Sequence, residues 1–485
     1  MGLVPAKIAD NLHPKWWVLL AIGVGSLLGA VDASVVNLCL PVIRRELGSS
    51  VALIEWVVSI YLVVVCGLLL TFGRLGDLRG YKRLYLLGFV FFIMGSALCG
   101  LAWSVVVLIA FRGLQALGAS ILFACAPAIL TGNFPASQRG QALGMQAFMI
   151  YFGQMAGPML GGWLTDHFSW RAVFYINVPI GLAAVALSIY YIPRDQPNTQ
   201  GEPFDLAGAA LFMAGFVVLL LGLNQGYDRG WTSPSIVVLL AGAALLLFIF
   251  VLLERRRAHP LLDLKLFDDR VFSLSVASAV LNYISVYTVL FLLPFYLIQG
   301  RGLSPGQAGL LFTMQPAVMT FAAPISGTLS DRIGTRRLSM LGMAILGTGL
   351  FMLSRLHPDS SLVHVVSALG VCGLGTGTFI APNNSALMGS APRHRQGIAS
   401  GVLATARYVG MILGVGISGA IFTTLLSRHT AMALFEGIRG GFLAASMAAF
   451  LGCLTSAVRK EVVVESTPGQ AGVVAALAKG SEERI

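Results

Sequence analysis

Charge is scarce in this sequence. Of 485 residues only 11% are Asp, Glu, Lys or Arg, and mean hydropathy is +0.82. Soluble domains average about 25% charged residues, so no soluble class competes. There is no Gly-x-x-x-x-Gly-Lys-Ser/Thr and no Gly-Lys dipeptide anywhere, which excludes a P-loop motor. The run Gly373-x-Gly375-x-Gly377 lies in an apolar stretch with no strand before it, so a dinucleotide loop is excluded too. The six cysteines (Cys39, Cys66, Cys99, Cys125, Cys372, Cys453) sit in apolar stretches without a CxxC pair and read as small hydrophobes. The seven histidines lie in loops or near segment ends without ligand spacing, so no metal and no bound cofactor is expected. A clustered nucleophile and base is also lacking, which argues against an enzyme. The net charge of +11 forms no continuous patch, so nucleic acid is not a partner. The N-terminus has Lys7 and Lys15 before a long apolar run but no A-x-A site, which predicts a retained first helix.

What is present is apolar sequence in long runs. Hydropathy predicts fourteen membrane spans between residues 16 and 457, including 141–164 and 206–225. The expected fold is therefore an all-α polytopic membrane protein. With the N-terminus inside, the inner loops and tails hold 22 of the 32 Lys and Arg residues and the outer loops 8. Arg112 and Arg407 fall within spans. This bias predicts both termini in the cytoplasm of a bacterial inner membrane. Glycine, at 56 residues, suits close helix packing in lipid.

The chain also repeats itself. Gly73, Leu75, Asp77, Gly80 and Arg83 recur as Gly327, Leu329, Asp331, Gly334 and Arg337, offset by 254. Pro135, Gly140, Gly144, Gly153, Gly157 and Gly162 recur as Pro392, Gly397, Gly401, Gly410, Gly414 and Gly419, offset by 257. Two parallel six-helix halves follow, 1–192 and 271–460. Residues 193–270 then form a linker with two additional helices, and 461–485 a cytoplasmic tail. Parallel repeats are a hallmark of secondary transporters, with the site between the halves at mid-membrane.

One stretch organises the first half: Gly25 to Pro41, GSLLGAVDASVVNLCLP. Gly25, Gly29, Asp32 and Val36 share a helical stripe. Asp32 is the only carboxylate well inside a span, and an acid at that depth faces a bundle interior or a water cavity. Arg112, in the fourth span, needs a partner and is the natural one. Desolvation raises an acid's pKa and a nearby Arg lowers it, so the pair reads as a proton-coupling site or as a permanent structural ion pair. Glu55 reads as a second acid near the cavity mouth or as an interfacial residue. Arg407, about 15 Å from the inner end of its helix, either binds an anionic group or snorkels inward. Asn37, Gln115, Tyr151, Asn282, Tyr287, Gln315, Asn383 and Tyr408 are candidates for a polar and aromatic substrate lining, Tyr283 beside them; each reads equally as helix–helix glue. The glycines around Gly157 and Pro158 predict a bent, tightly packed helix.

The loop Gly73 to Arg83, GRLGDLRGYKR, resembles the signature between the second and third helices of the major facilitator superfamily. LGAVDASVVNLCLP is similar to the first-helix signature of its fourteen-helix drug:proton antiporters, the EmrB/QacA type. So are Arg112-Gly-Leu-Gln115-Ala-Leu-Gly118, Gly153-Gln-Met-Ala-Gly157-Pro158-Met-Leu-Gly161-Gly162 and the run from Trp170 to Gly181. Val31, Ser34, Leu38-Cys39 and Ala116 depart mildly from that pattern. The resemblance covers about 16–457. It implies antiport of amphipathic or cationic compounds against protons, powered by the proton gradient alone. It also implies that Asp77 caps the helix of the other half near Ile398 and that Asp331 does the same toward the fifth span. Gly73, Arg83, Arg337, Gly157 and Pro158 would serve the same conformational role. Partners would be the bilayer, protons and a small-molecule substrate, with a periplasmic adaptor left open. Export of a lipid or anionic metabolite is the alternative, and a non-transporting membrane scaffold or sensor a weaker one.

Overall fold

The computed structural model describes residues 14–134, 138–193, 206–257, 264–391, 396–426 and 432–459. Every regular element among them is helical. That follows from the composition, because in hydrocarbon a helix satisfies its backbone groups within its own segment.

The first set of helices is α1 (Pro14–Glu46), α2 (Val51–Arg79), α3 (Tyr81–Gly100), α4 (Val105–Asn133), α5 (Arg139–His167), the single turn α6 (Ala172–Tyr175) and α7 (Asn177–Tyr191). Two more follow, α8 (Leu206–Arg229) and α9 (Pro234–Arg256). The second set is α10 (Arg270–Pro294), α11 (Pro305–Phe312), α12 (Met314–Ile333), α13 (Thr335–Leu353), α14 (Leu362–Ser390), α15 (Gln396–Leu426) and α16 (Ala433–Val458). Side-chain N-caps mark the starts: the Ser50, Ser104 and Ser361 hydroxyls and the Asp269 carboxylate accept from the backbone N–H groups of Leu53, Val107, His364 and Phe272.

Among the described residues twelve helices are long and apolar enough to cross a membrane. Helices also cover the other two expected spans. In α5 the apolar run is interrupted by Gln146, Gln154 and several glycines, and in α8 the described apolar stretch is Ala207–Leu223.

The two sets share their principal helix pairings. Gly80 and Gly334 turn the chain between α2 and α3 and between α12 and α13, with φ of 91° and 92°. Only glycine adopts that backbone freely. A Cβ at Gly118 would lie 2.3 Å from the Phe92 backbone nitrogen, and one at Gly375 would lie 2.3 Å from that of Leu346. A Cβ at Gly153 would meet the Leu27 carbonyl at 2.8 Å, and one at Gly410 the Val280 carbonyl at 2.5 Å. So α3 lies backbone to backbone on α4 as α13 does on α14, and α1 on α5 as α10 does on α15. The sets meet along α5 with α11 and α12, α1 with α10, and α2 with α15. Helix α8 packs on α2 and α15, while α9 packs chiefly on α8. Val237, Val238, Leu245 and Phe248 of α9 point outward, as a lipid-facing surface requires.

The end of the bundle that holds His167 is closed between the sets. A Cβ at Gly162 of α5 would lie 2.4 Å from the Pro305 carbonyl oxygen, and one at Gly309 of α11 would lie 2.2 Å from that of Pro158. Beside this contact the Asp166 carboxylate accepts from Ser304 Oγ at 2.9 Å and from the Gly306 N–H at 2.8 Å. It therefore caps α11 from the other set. Arg44 donates to Gln299 Oε1 across the same seam at 3.1 Å. Because Asp166 is exposed, its replacement by Ala is expected to loosen this end only a few-fold. The check is modification of the buried Cys39, which lies against Thr165, by a membrane-impermeant maleimide.

Candidate functional site

Asp32 sits midway along α1, wholly buried. Its neighbours come from three other helices of the first set. Arg112 of α4 donates from Nη1 to Asp32 Oδ2 at 2.8 Å. Gln115, one turn further along α4, and Asn177 at the start of α7 both donate to Asp32 Oδ1 at 2.8 Å. Ser96 of α3 accepts from Gln115 at 2.7 Å and from Asn177 at 3.4 Å. Three N–H donors, one of them on a full cation, thus converge on this carboxylate. The arrangement follows from spacing: Arg112 and Gln115 lie three apart and share one helix face.

Arg112 is satisfied on its other sides. Its Nε donates to the Val57 carbonyl at 3.2 Å, and Nη1 also donates to Gln115 Oε1. The guanidinium lies 4.3 Å from the Tyr61 ring centroid and 5.8 Å from that of Phe174. Tyr61, on α2, is buried and its hydroxyl has no hydrogen-bond partner. That same phenol lies within electrostatic reach of Tyr287 and Tyr408 in the second set. Tyr61 thus covers Arg112 on one side and is within electrostatic reach of the second set on the other.

A second cluster lies on that seam. Arg407 of α15 stands over the Tyr283 ring at 5.4 Å, with Tyr151 of α5, Tyr408 and Tyr287 as its other electrostatic neighbours. Tyr151 brings a phenol of the first set within electrostatic reach of Tyr283 and Arg407 of the second.

The remaining sequence candidates fall elsewhere. Glu55 is buried against Gly419 of α15, so it is part of the contact between sets. Asn37 donates to the Ala33 carbonyl of its own helix at 2.9 Å. Asn282 is buried, donating to Met343 Sδ at 3.5 Å, and Gln315 is buried in α12. Asn383 holds Arg459: the guanidinium donates to Asn383 Oδ1 at 3.0 Å, Ser275 Oγ at 2.9 Å and Ser339 Oγ at 3.1 Å. Burial, with Arg336 nearby, pushes the Arg459 guanidinium down to about 10. Gly157 lies against Ser34 of α1, and the carbonyl of Pro158 is the atom that Gly309 approaches. Arg83 and Arg337 are exposed at the starts of α3 and α13, and Gly73 is half-buried in α2. The side chains of Asp77, Asp331 and Ile398, and residues 461–485, lie outside the described residues.

Sequence reasoning did not single out Tyr61, Ser96 or Arg459. Tyr61 is one aromatic in an apolar run, and Arg459 reads as another basic residue after a span. Asn177 was visible only within a longer motif.

The sequence model for the Major Facilitator Superfamily matches residues 22–255 and 275–479, which is most of the chain. The chain belongs to that superfamily. Among curated superfamily proteins it is similar to the riboflavin transporter RibZ of Clostridioides difficile, 35% identical over 450 residues, covering 91% of this chain and 97% of that protein. It is also similar to the multidrug resistance protein Stp of Mycobacterium tuberculosis, 34% identical over 411 residues, covering 84% and 76%. The solved D-xylose-proton symporter has the same fold, with a TM-score of 0.68 over 94% of this chain and 100% of that one, at 16% identity. A membrane transporter of this superfamily carries solute and not chemistry, in keeping with the missing nucleophile cluster.

Proposed function

We propose that the protein is a fourteen-helix, proton-coupled exporter of amphipathic small molecules in a bacterial inner membrane, with both termini cytoplasmic. The halves 1–192 and 271–460 would rock about the seam, with 193–270 bridging them. The observation that carries this reading is the Asp32–Arg112 pair, buried and charge-matched. A buried pair is held by its mutual attraction only while both partners are charged. Protonating Asp32 would free Arg112, and Tyr61, whose ring lies 4.3 Å from that guanidinium, would pass the change to the seam. In this cycle Asp32 carries the proton and Arg112 sets its affinity, while Gln115, Asn177 and Ser96 hold the carboxylate in place.

The state described would be closed outside, through Gly162, Gly309 and Asp166, leaving the Gly80 and Gly334 turns at the inner end. Asp77, Asp331, Gly73, Arg83 and Arg337 are proposed to secure that inner end in the opposite state. The likeness to RibZ and Stp supports a small organic cargo, since one is named for riboflavin and the other for multidrug resistance. Export of an anionic metabolite is the second reading, favoured by Arg407 on the seam.

The test is efflux from proteoliposomes under an imposed pH gradient. A several-fold acceleration that a protonophore abolishes is expected. Transport indifferent to the gradient would remove the coupling.

A further inference from the structure

We propose that the seam between the helix sets holds an anion-recognition site, in which Arg407 takes the acid group of a planar aromatic compound and the tyrosines around it take the rings. The inference rests on reading the seam as the substrate site, and it fixes the charge of the substrate, which that reading leaves open.

The two span arginines differ in how they are satisfied. Arg112 has a carboxylate, a side-chain amide and a backbone carbonyl as acceptors. Arg407 has no carboxylate partner among the described residues, and its Nε is buried without any acceptor. Its neighbours are π faces and phenols: Tyr283, Tyr151, Tyr408 and Tyr287. A guanidinium held this deep needs an acceptor that the protein does not supply. The residue is nevertheless half-exposed, as are Tyr151, Tyr283 and Tyr408. Part of the cation and of its aromatic surround is therefore open to a ligand.

The chemistry that fits is specific. A carboxylate, phosphate or sulfonate matches the planar donor fork of Arg, in two parallel charge-assisted bonds. Flat rings stack offset or edge-on against phenols. A cationic compound would meet the unneutralised charge of Arg407. Asp32, midway along α1, is wholly buried and already accepts three hydrogen bonds. The position of Tyr151 matters as well. It is contributed by α5, so a ligand lying on Arg407 touches both sets at once and binds best when they close on it.

The experiment measures binding, without a gradient, to the purified full chain by flavin and acridine fluorescence. It uses three tricyclic probes of different charge: riboflavin 5′-phosphate, riboflavin and proflavine. Riboflavin 5′-phosphate is expected to bind at least tenfold more tightly than riboflavin, with proflavine weakest. Arg407→Gln should weaken the phosphate at least tenfold while changing riboflavin less than threefold, and Arg407→Lys should fall between. Tyr283→Leu should weaken both flavins together. The proposal is overturned if proflavine binds as well as the phosphate, if Arg407→Gln leaves the phosphate affinity unchanged, or if none of the three binds. Displacement of the phosphate probe by an equal concentration of phosphatidylglycerol would assign the cation to a lipid headgroup and also overturn it. Since no proton gradient enters, a failure of proton coupling leaves this result standing, and the reverse also holds.

Discussion

Asp32→Asn is expected to yield a protein that assembles in the membrane but no longer couples transport to a pH gradient, with gradient-driven efflux down at least tenfold. Asn keeps the shape of the carboxylate, so Gln115 and Asn177 retain a carbonyl acceptor, but the charge is gone. Arg112 then remains at 2% exposure with no counter-ion. Removing one partner of a buried pair typically destabilises by about 3–5 kcal/mol, whereas removing both together is far milder. Asp32→Asn/Arg112→Gln should therefore unfold at a higher temperature than either single variant, while staying uncoupled. The measurement is direct because five of the six cysteines are buried, so a thiol-reactive dye reports unfolding. If Asp32→Asn pumped like wild type, the proton would have to be carried elsewhere. If the double variant were no more stable than the singles, Asp32 and Arg112 would not be each other's principal partner.

The second large effect lies far from Asp32 in sequence, at the closed end. Gly162→Leu and Gly309→Leu should each reduce turnover at least tenfold while leaving the Asp32 cluster intact. The first Cβ would meet the Pro305 carbonyl at 2.4 Å and the second the Pro158 carbonyl at 2.2 Å. Both obstacles are backbone and cannot rotate aside, unlike the Met149 side chain that faces Gly23. Helices α5 and α11 would have to part by an ångström or more, and a seam that cannot close cannot alternate. Cys39, buried beside Thr165 of α5, is the natural reporter. Its modification from the closed end should rise several-fold in both variants. Wild-type turnover together with wild-type labelling would show that this contact is not part of the transport cycle.

These two sites were legible in the sequence to different degrees. Asp32 and Arg112 announce themselves, because a charge within an apolar run must find a partner or water, and the chain offers few partners. The repeat was legible for a similar reason: glycines needed for backbone contact cannot be exchanged freely, so both copies keep them. Gly80 and Gly334 carry the same left-handed turn, and Gly118 and Gly375 the same close approach.

The sequence could not assign the neutral polar residues. Asn383, a plausible lining residue, is occupied with Arg459, a residue 76 positions later. Asn177 turned out to hold the Asp32 carboxylate, and Tyr61 to cover Arg112.

By itself, then, the sequence determined a helical membrane transporter built from a parallel repeat, because hydropathy, loop charge and glycine spacing are local quantities that each segment carries alone. Only the tertiary structure decided that Asp32 is already paired within one helix set while Arg407 stands among tyrosines on the seam between them. Hydrogen bonds and charge pairing depend on which faces of distant helices meet, and a heptad of apolar residues looks the same from the sequence whether it faces lipid, a neighbour or a cavity.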